Sequence, residues 1–208
     1  MNFAILSALL GFAFVTTVTT VTTVTTVTPG PNNLMLMASG ANFGFRRTLP
    51  HMMGIVGGMS VMALLVGAGL MALFDAVPVL NLVLKVISAG YLLWLAFRIA
   101  TDAPLEERGA DSRPMTFLQA ATFQRLNPKA WAMCLSAITL YAPDRSLLSV
   151  AIVAAAFTLV CFPAISVWAW LGTVVRQWLS NATRLRVFNI TMAALLVASL
   201  YPVLGLGA

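Results

Sequence analysis

The chain has 208 residues, of which 60% are hydrophobic and 9% are charged, against roughly 25% charged in a soluble domain. With a mean hydropathy of +0.93, so much apolar surface excludes a water-soluble fold and assigns most residues to lipid. The net charge of +6 points to membrane lipid rather than nucleic acid as partner. Most cations sit in short segments between apolar runs, where they anchor a cytoplasmic face and meet anionic lipid.

The expected fold is an all-α integral membrane protein. A bilayer core about 30 Å thick needs roughly 20 apolar residues per helix. Six segments approach that length: Phe3 to Thr28, Leu49 to Phe74, Val77 to Phe97, Met115 to Tyr141, Leu147 to Gly172 and Val187 to Leu206. The runs are continuous and lack the alternation of barrel strands. One transmembrane domain is expected over residues 1–208, with a first repeat over about 1–100, a cytoplasmic loop over about 101–114 and a second repeat over about 115–208.

The first span starts without the cationic leader of a secretory signal, so it is expected to stay in the mature protein. Its second half, Val15 to Thr28, repeats Val-Thr-Thr. As one helix, its 26 residues would reach about 39 Å and must tilt or protrude. Threonine hydroxyls bonded to the carbonyl one turn back keep such a helix viable in lipid. The tract reads as an expanded repeat that lengthens the span, or else as a threonine-lined polar pathway that includes Thr28.

Pro29-Gly30-Pro31-Asn32-Asn33 follows, where proline must end one helical piece and start another. The first connection carries Arg46 and Arg47, and the second span opens with Pro50-His51. In that span Gly54 and Gly58 form a small-xxx-small pair for close helix packing. Asp75 ends it, and the third connection then holds Arg98, Arg108 and Arg113 with four carboxylates, as a solvated loop.

The fourth span is broken at Arg125-Leu126-Asn127-Pro128-Lys129-Ala130. Asp144 and Arg145 lie in the short fourth connection, Pro163 should kink the fifth span, and the fifth connection holds Arg176, Arg184 and Arg186. Eight of the twelve Lys and Arg residues thus fall on odd connections. Odd connections are therefore expected in the cytoplasm and both termini outside it. Trp94, Trp168, Trp170 and Trp178, with Tyr91, Tyr141 and Tyr201, read as an interfacial belt. Cys134 and Cys161 read as small buried hydrophobes.

The two breaks carry the chemistry. A helix starting at Pro31 or Pro128 directs free amides and a partial positive charge at whatever precedes it, which suits a carboxylate. The first break follows the first span and the second lies in the first span of the second triplet, and such duplicated triplets must run oppositely across the membrane. That is the logic of a 3+3 inverted-topology repeat with proline-broken helices.

Pro29-Gly30-Pro31-Asn32-Asn33, with Gly44-Phe45-Arg46, Gly54 and Asn127-Pro128-Lys129-Ala130, resembles the bacterial lysine-exporter and homoserine/threonine-resistance family of amino-acid efflux proteins. The likeness covers nearly the whole chain. The paired asparagines look most like the branch exporting small neutral amino acids and cysteine-pathway metabolites. Two features depart from the pattern: the Val-Thr-Thr tract and Pro50-His51. The resemblance implies efflux of amino acids or their derivatives across the bacterial inner membrane, driven by proton antiport.

In that reading Pro29, Gly30, Pro31, Asn32, Asn33, Asn127, Pro128 and Lys129 form the substrate site. Lys129 and the two amide ends receive the carboxylate, while Asn32, Asn33 and Asn127 orient the amino group. Arg125, four residues before Lys129, is a candidate for the polar pathway or a snorkelling cation. No carboxylate is embedded in a span, so the candidates for proton coupling are Asp75, Asp144, Lys129 and His51, whose side-chain type titrates near neutral pH. The expected partners are an amino-acid substrate and lipid, with a homo-oligomer left open, and neither cofactor nor metal is expected. One histidine, two separated cysteines and no buried acid argue against an embedded enzyme. A channel or a non-transporting subunit is the alternative.

Overall fold

The computed structural model describes residues 29–70, 76–77, 79–101, 113–142, 146–179 and 181–201. The Val-Thr-Thr tract, Thr28, Asp75, Asp144 and most of the third connection lie outside the described residues. Among the described residues every regular element is a helix. In chain order these are α1 (Pro31–Phe43), α2 (Phe45–Gly67), α3 (Val79–Ala100), α4 (Phe117–Gln124), α5 (Pro128–Tyr141), α6 (Leu147–Arg176) and α7 (Ala182–Ala198). Among the described residues three stretches are long and apolar enough to cross a bilayer: Phe45–Gly67, Leu82–Ala100 and Leu147–Arg176.

The two prolines act as the sequence predicts. Pro31 and Pro128 each occupy the first turn of a helix, where a missing amide donor costs nothing. The eight-residue α4 opens with a capping box: Thr116 Oγ1 accepts from the Gln119 amide at 3.3 Å, and Gln119 Oε1 accepts from the Thr116 amide at 3.0 Å. It stops at Gln124, and after a turn Asn127 caps α5. The fourth expected span is thus two helices in tandem.

Several expected boundaries shift. What reads as the first connection contains α1, most of whose residues are buried. The second span starts at Phe45 rather than Leu49, because Gly44, at a φ of +83°, supplies the left-handed turn that lets α2 follow α1 directly. The last helix starts at Ala182 rather than Val187, capped by Asn181 Oδ1 accepting from the Thr183 amide at 2.8 Å. α6 runs as one helix through Pro163 to Arg176.

α1 packs chiefly on α6, α2 on α6 and α4, and α3 on α7. Glycines permit the closest of these approaches. A Cβ at Gly40 would strike the Ala169 carbonyl and one at Gly172 the Met37 carbonyl, so α1 and α6 touch backbone to backbone. Gly54 and Gly58 meet the Phe117 and Ala121 carbonyls of α4 in the same way, which is the packing that their spacing predicts. One core gathers Met52, Ile55, Met59, Ile138, Phe157 and Ile165 from α2, α5 and α6. A second gathers Leu34, Met35, Leu92, Phe123 and Leu196 from α1, α3, α4 and α7. Leu82, Val83, Val86, Ile87 and Phe97 of α3 are exposed and suited to lipid. Exposed Lys85 among them carries a stem long enough to bring its ammonium to an interface.

Gly172→Ala forces backbone apart, so it should lower stability by about 1–3 kcal/mol. A Cβ at exposed Gly90 meets nothing within 4 Å, and Gly90→Ala should leave the melting temperature unchanged or raised. Thermal denaturation of the two variants in one detergent checks the contrast.

Candidate functional site

The ends of α1 and α5 meet. Lys129, in the first turn of α5, reaches back across the first break, where its Nζ donates to the Pro29 carbonyl at 3.5 Å. Gly30 leaves room for that reach: a Cβ there would stand 3.0 Å from Lys129 Cδ and 3.1 Å from Nζ. The Gly30 backbone is extended, with φ at −176°, so its lack of a side chain matters for space and not for conformation. Asn127 Oδ1 accepts from the Lys129 amide at 3.2 Å, using one of the free donors of α5. The start of α1 has no side-chain cap.

Asn32 joins the breaks a second way. Its Nδ2 donates to Gln124 Oε1 at 2.8 Å, and Gln124 Nε2 donates back to Asn32 Oδ1 at 3.2 Å. Gln124 Nε2 also donates to the Ala120 carbonyl at 2.9 Å. Gln124 is fully buried, and this reciprocal amide pair ties the last residue of α4 to the first turn of α1. Sequence reasoning missed Gln124, which stands immediately before the second break and is the last residue of the helix that the break ends. Asn32 is therefore engaged by Gln124 in this conformation while still lining a small cavity.

Gly30, Asn32, Asn33, Asn127 and Lys129 line one small cavity, with Met59 and Cys161 among its other walls. Its volume is about 30 Å³, about the share of one water molecule in the liquid. The space between these side chains in this conformation is smaller than an amino acid. Asn33 and Asn127 are buried. Pro31 is buried and Pro128 half-buried beside them, with exposed Pro29 contributing its carbonyl.

Other candidates stand apart. Arg125 is exposed in the turn between α4 and α5, and lines a groove of about 250 Å³ with Gly57, Phe117 and Trp131. Its carbonyl accepts from Trp131 Nε1 at 2.9 Å. The break turns it away from Lys129, so the two cations do not share a helical face. His51 is buried within α2 despite the adjacent Pro50. It is 1% exposed, and neither ring nitrogen has a hydrogen-bond partner among the described residues. A buried polar group left so costs about 1–3 kcal/mol. It lines a different cavity, of about 570 Å³, with Arg98 and Arg113.

Two buried polar pairs fix α1 at its other end. Asn42 Nδ2 donates to Asn189 Oδ1 at 2.9 Å, linking α1 to α7. Ser39 Oγ and Thr48 Oγ1 lie 2.9 Å apart, linking α1 to α2. Cys134 and Cys161 are both free thiols and buried, as small hydrophobes would be. Among the described residues no group of three or more His, Cys, Asp or Glu side chains could hold a metal ion.

The LysE type translocator family matches residues 23–199. The chain is 30% identical over 129 residues to the cysteine/O-acetylserine efflux protein of Escherichia coli strain K12, and to that of Shigella sonnei strain Ss046. Each match covers 62% of this chain and 61% of the relative, so the chain spans about three fifths of the length of the curated relatives it matches. No solved structure matches it. With three helices able to cross a bilayer, this is a multi-pass membrane protein, and by the match over most of its length the chain belongs to the LysE type translocator family.

Proposed function

We propose that the protein exports small neutral amino acids or their derivatives, of the cysteine and O-acetylserine type, across the bacterial inner membrane. The observation that carries this reading is the meeting of two proline-broken helices at one cavity, with one ammonium and the uncapped start of α1 beside it. A carboxylate is the ligand that such a pair of charges and amide dipoles recognises best. The relatives' names supply the substrate class.

In this reading the chain crosses the membrane six times as two inverted triplets. Contacts between counterparts support it: α2 packs on α6 and α3 on α7, as elements beside a pseudo-twofold axis between the halves can. Arg46, Arg47, Arg98, Arg113 and Arg176 mark the cytoplasmic end. Export alternates between the closed arrangement around Lys129 and one in which the breaks separate to admit substrate. Overproduction in a bacterial host should raise extracellular cysteine and O-acetylserine and confer tolerance to toxic analogues. No change in any amino acid outside the cells would sink the assignment.

Proton antiport completes the proposal, with His51 as the coupling group. It is buried without a partner among the described residues, and it faces Tyr91, Arg98 and Arg113 across the larger cavity. His51→Asn should flatten the dependence of export on pH. An unaltered profile in vesicles would remove this residue from coupling.

A further inference from the structure

The small cavity at the breaks has two unlike walls. One is polar and belongs to the breaks themselves: Asn32 and Asn33 stand in the first turn of α1, Asn127 caps α5, and Lys129 follows it. The other is built of sulfur. Met59 of α2, Met133 of α5 and Cys161 of α6 line the same space. Lys129 and Met133 are four residues apart on α5, so one helical face carries both the ammonium and a thioether.

The core shared by α2, α5 and α6 brings the three sulfurs together. Met59 and Cys161 are buried in it, and Met133 packs against it. The second thiol of the chain behaves differently. Cys134 lies in the same core, but its Sγ donates to the Met59 carbonyl at 3.8 Å, and it does not line the cavity. Proximity to the core therefore does not by itself put a sulfur on the cavity wall.

Ligand sites commonly pair a few placed polar groups with an apolar wall. Thioether and thiol groups offer polarizable, nearly apolar surface. An uncharged side chain gains contact there, whereas an ionised one would leave water for partners too weak to replace it. Methionine has three rotatable bonds and repacks readily. A wall containing two of them can yield to a ligand larger than the space of about 30 Å³ present in this conformation. Cys161, whose sulfur is one torsion from the backbone of α6, is the stiff part of that wall.

We propose that Met59, Met133 and Cys161 form the subsite for the side chain of the exported amino acid, with Cys161 setting its depth. The polar wall then holds the carboxylate and the amino group. The subsite rests on the export reading, which puts substrate at the breaks, and it adds the basis of choice among substrates: uncharged side chains over ionised ones, and short ones favoured by the sulfur at the end of the pocket.

Downhill efflux from liposomes containing the whole protein tests it. The liposomes are preloaded with radiolabelled L-serine and L-homoserine, which differ by one methylene. A methylene is worth roughly 10- to 200-fold in a rigid apolar pocket, and the flexible methionines place this wall at the lower end. Cys161→Ala should raise the ratio of homoserine to serine efflux roughly tenfold, while Cys134→Ala leaves the ratio as in the wild type. In the Cys134→Ala protein Cys161 is the sole thiol, and L-serine should slow its modification by methyl methanethiosulfonate several-fold. That labelling needs no change at the subsite, so it decides the matter even if Cys161→Ala fails to fold. An unchanged ratio in folded Cys161→Ala, an equal shift in Cys134→Ala, or labelling indifferent to L-serine overturns the subsite, while efflux by the wild type leaves the export reading standing. If the wild type releases neither amino acid, the export reading falls and the labelling decides alone: protection by L-serine upholds the subsite as a binding pocket, and no protection overturns it.

Discussion

Lys129→Gln should reduce export by roughly 100-fold while the protein still inserts and folds. A hydrogen bond to a charged partner contributes about 1.5–3 kcal/mol, more where water is excluded, and 1.4 kcal/mol is a factor of ten. Half-buried Lys129 stands between the carbonyl of Pro29 and the cap of Asn127, so the shorter, neutral glutamine removes both the charge and the reach to that carbonyl. Two companion variants separate charge from position. Lys129→Arg keeps the charge but replaces a compact ammonium with a broad planar guanidinium, so it should restore export only in part. Gly30→Ala leaves the lysine in place and sets a Cβ 3.1 Å from its Nζ. The flexible end must move aside, at little cost in stability, and export should fall several-fold. Efflux from preloaded cells, with membrane protein quantified by immunoblot, reads all three. Normal export by Lys129→Gln would remove the central role of this ammonium.

The breaks were legible because proline acts locally. Pro31 and Pro128 each start a helix whatever the rest of the chain does, and Gly54 with Gly58 predicts the approach of another helix by spacing alone. What sequence reading missed depends on distance along the chain. α1 reads as a connection because Asn32, Asn33, Ser39 and Asn42 dilute its apolar character. In the fold, Asn42 is satisfied by Asn189 across 147 positions and Asn32 by Gln124 across 92. A local pattern cannot announce either pair. His51 was misplaced for a related reason: Pro50 marks a helix start, yet α2 starts earlier, at Phe45, and carries His51 inward. The large cavity was invisible because Arg98 and Arg113 belong to the flanks of a connection and acquire a shared wall only when α3 and α4 pack near α1.

The amide pair between the breaks gives the second large effect. Gln124→Leu leaves Asn32 facing an apolar side chain in a confined site, a loss of about 1–3 kcal/mol from the conformation that the pair joins. By the same conversion, the population of that conformation should fall roughly 10- to 100-fold, and export with it, since the cycle must pass through the closed arrangement. Asn32→Leu removes the same two hydrogen bonds from the other side. If the pair acts as a clasp and Asn32 does little else, the double variant should be no worse than the poorer single one, because each single change has already broken the whole interaction. If Asn32 also contacts substrate when the breaks part, Asn32→Leu should exceed Gln124→Leu, and the excess should appear in the substrate concentration needed for half-maximal export. Effects of the two single changes that simply multiply would mean the side chains act independently. The link between α4 and α1 would then be packing alone, and the coupling of the two breaks would need another carrier.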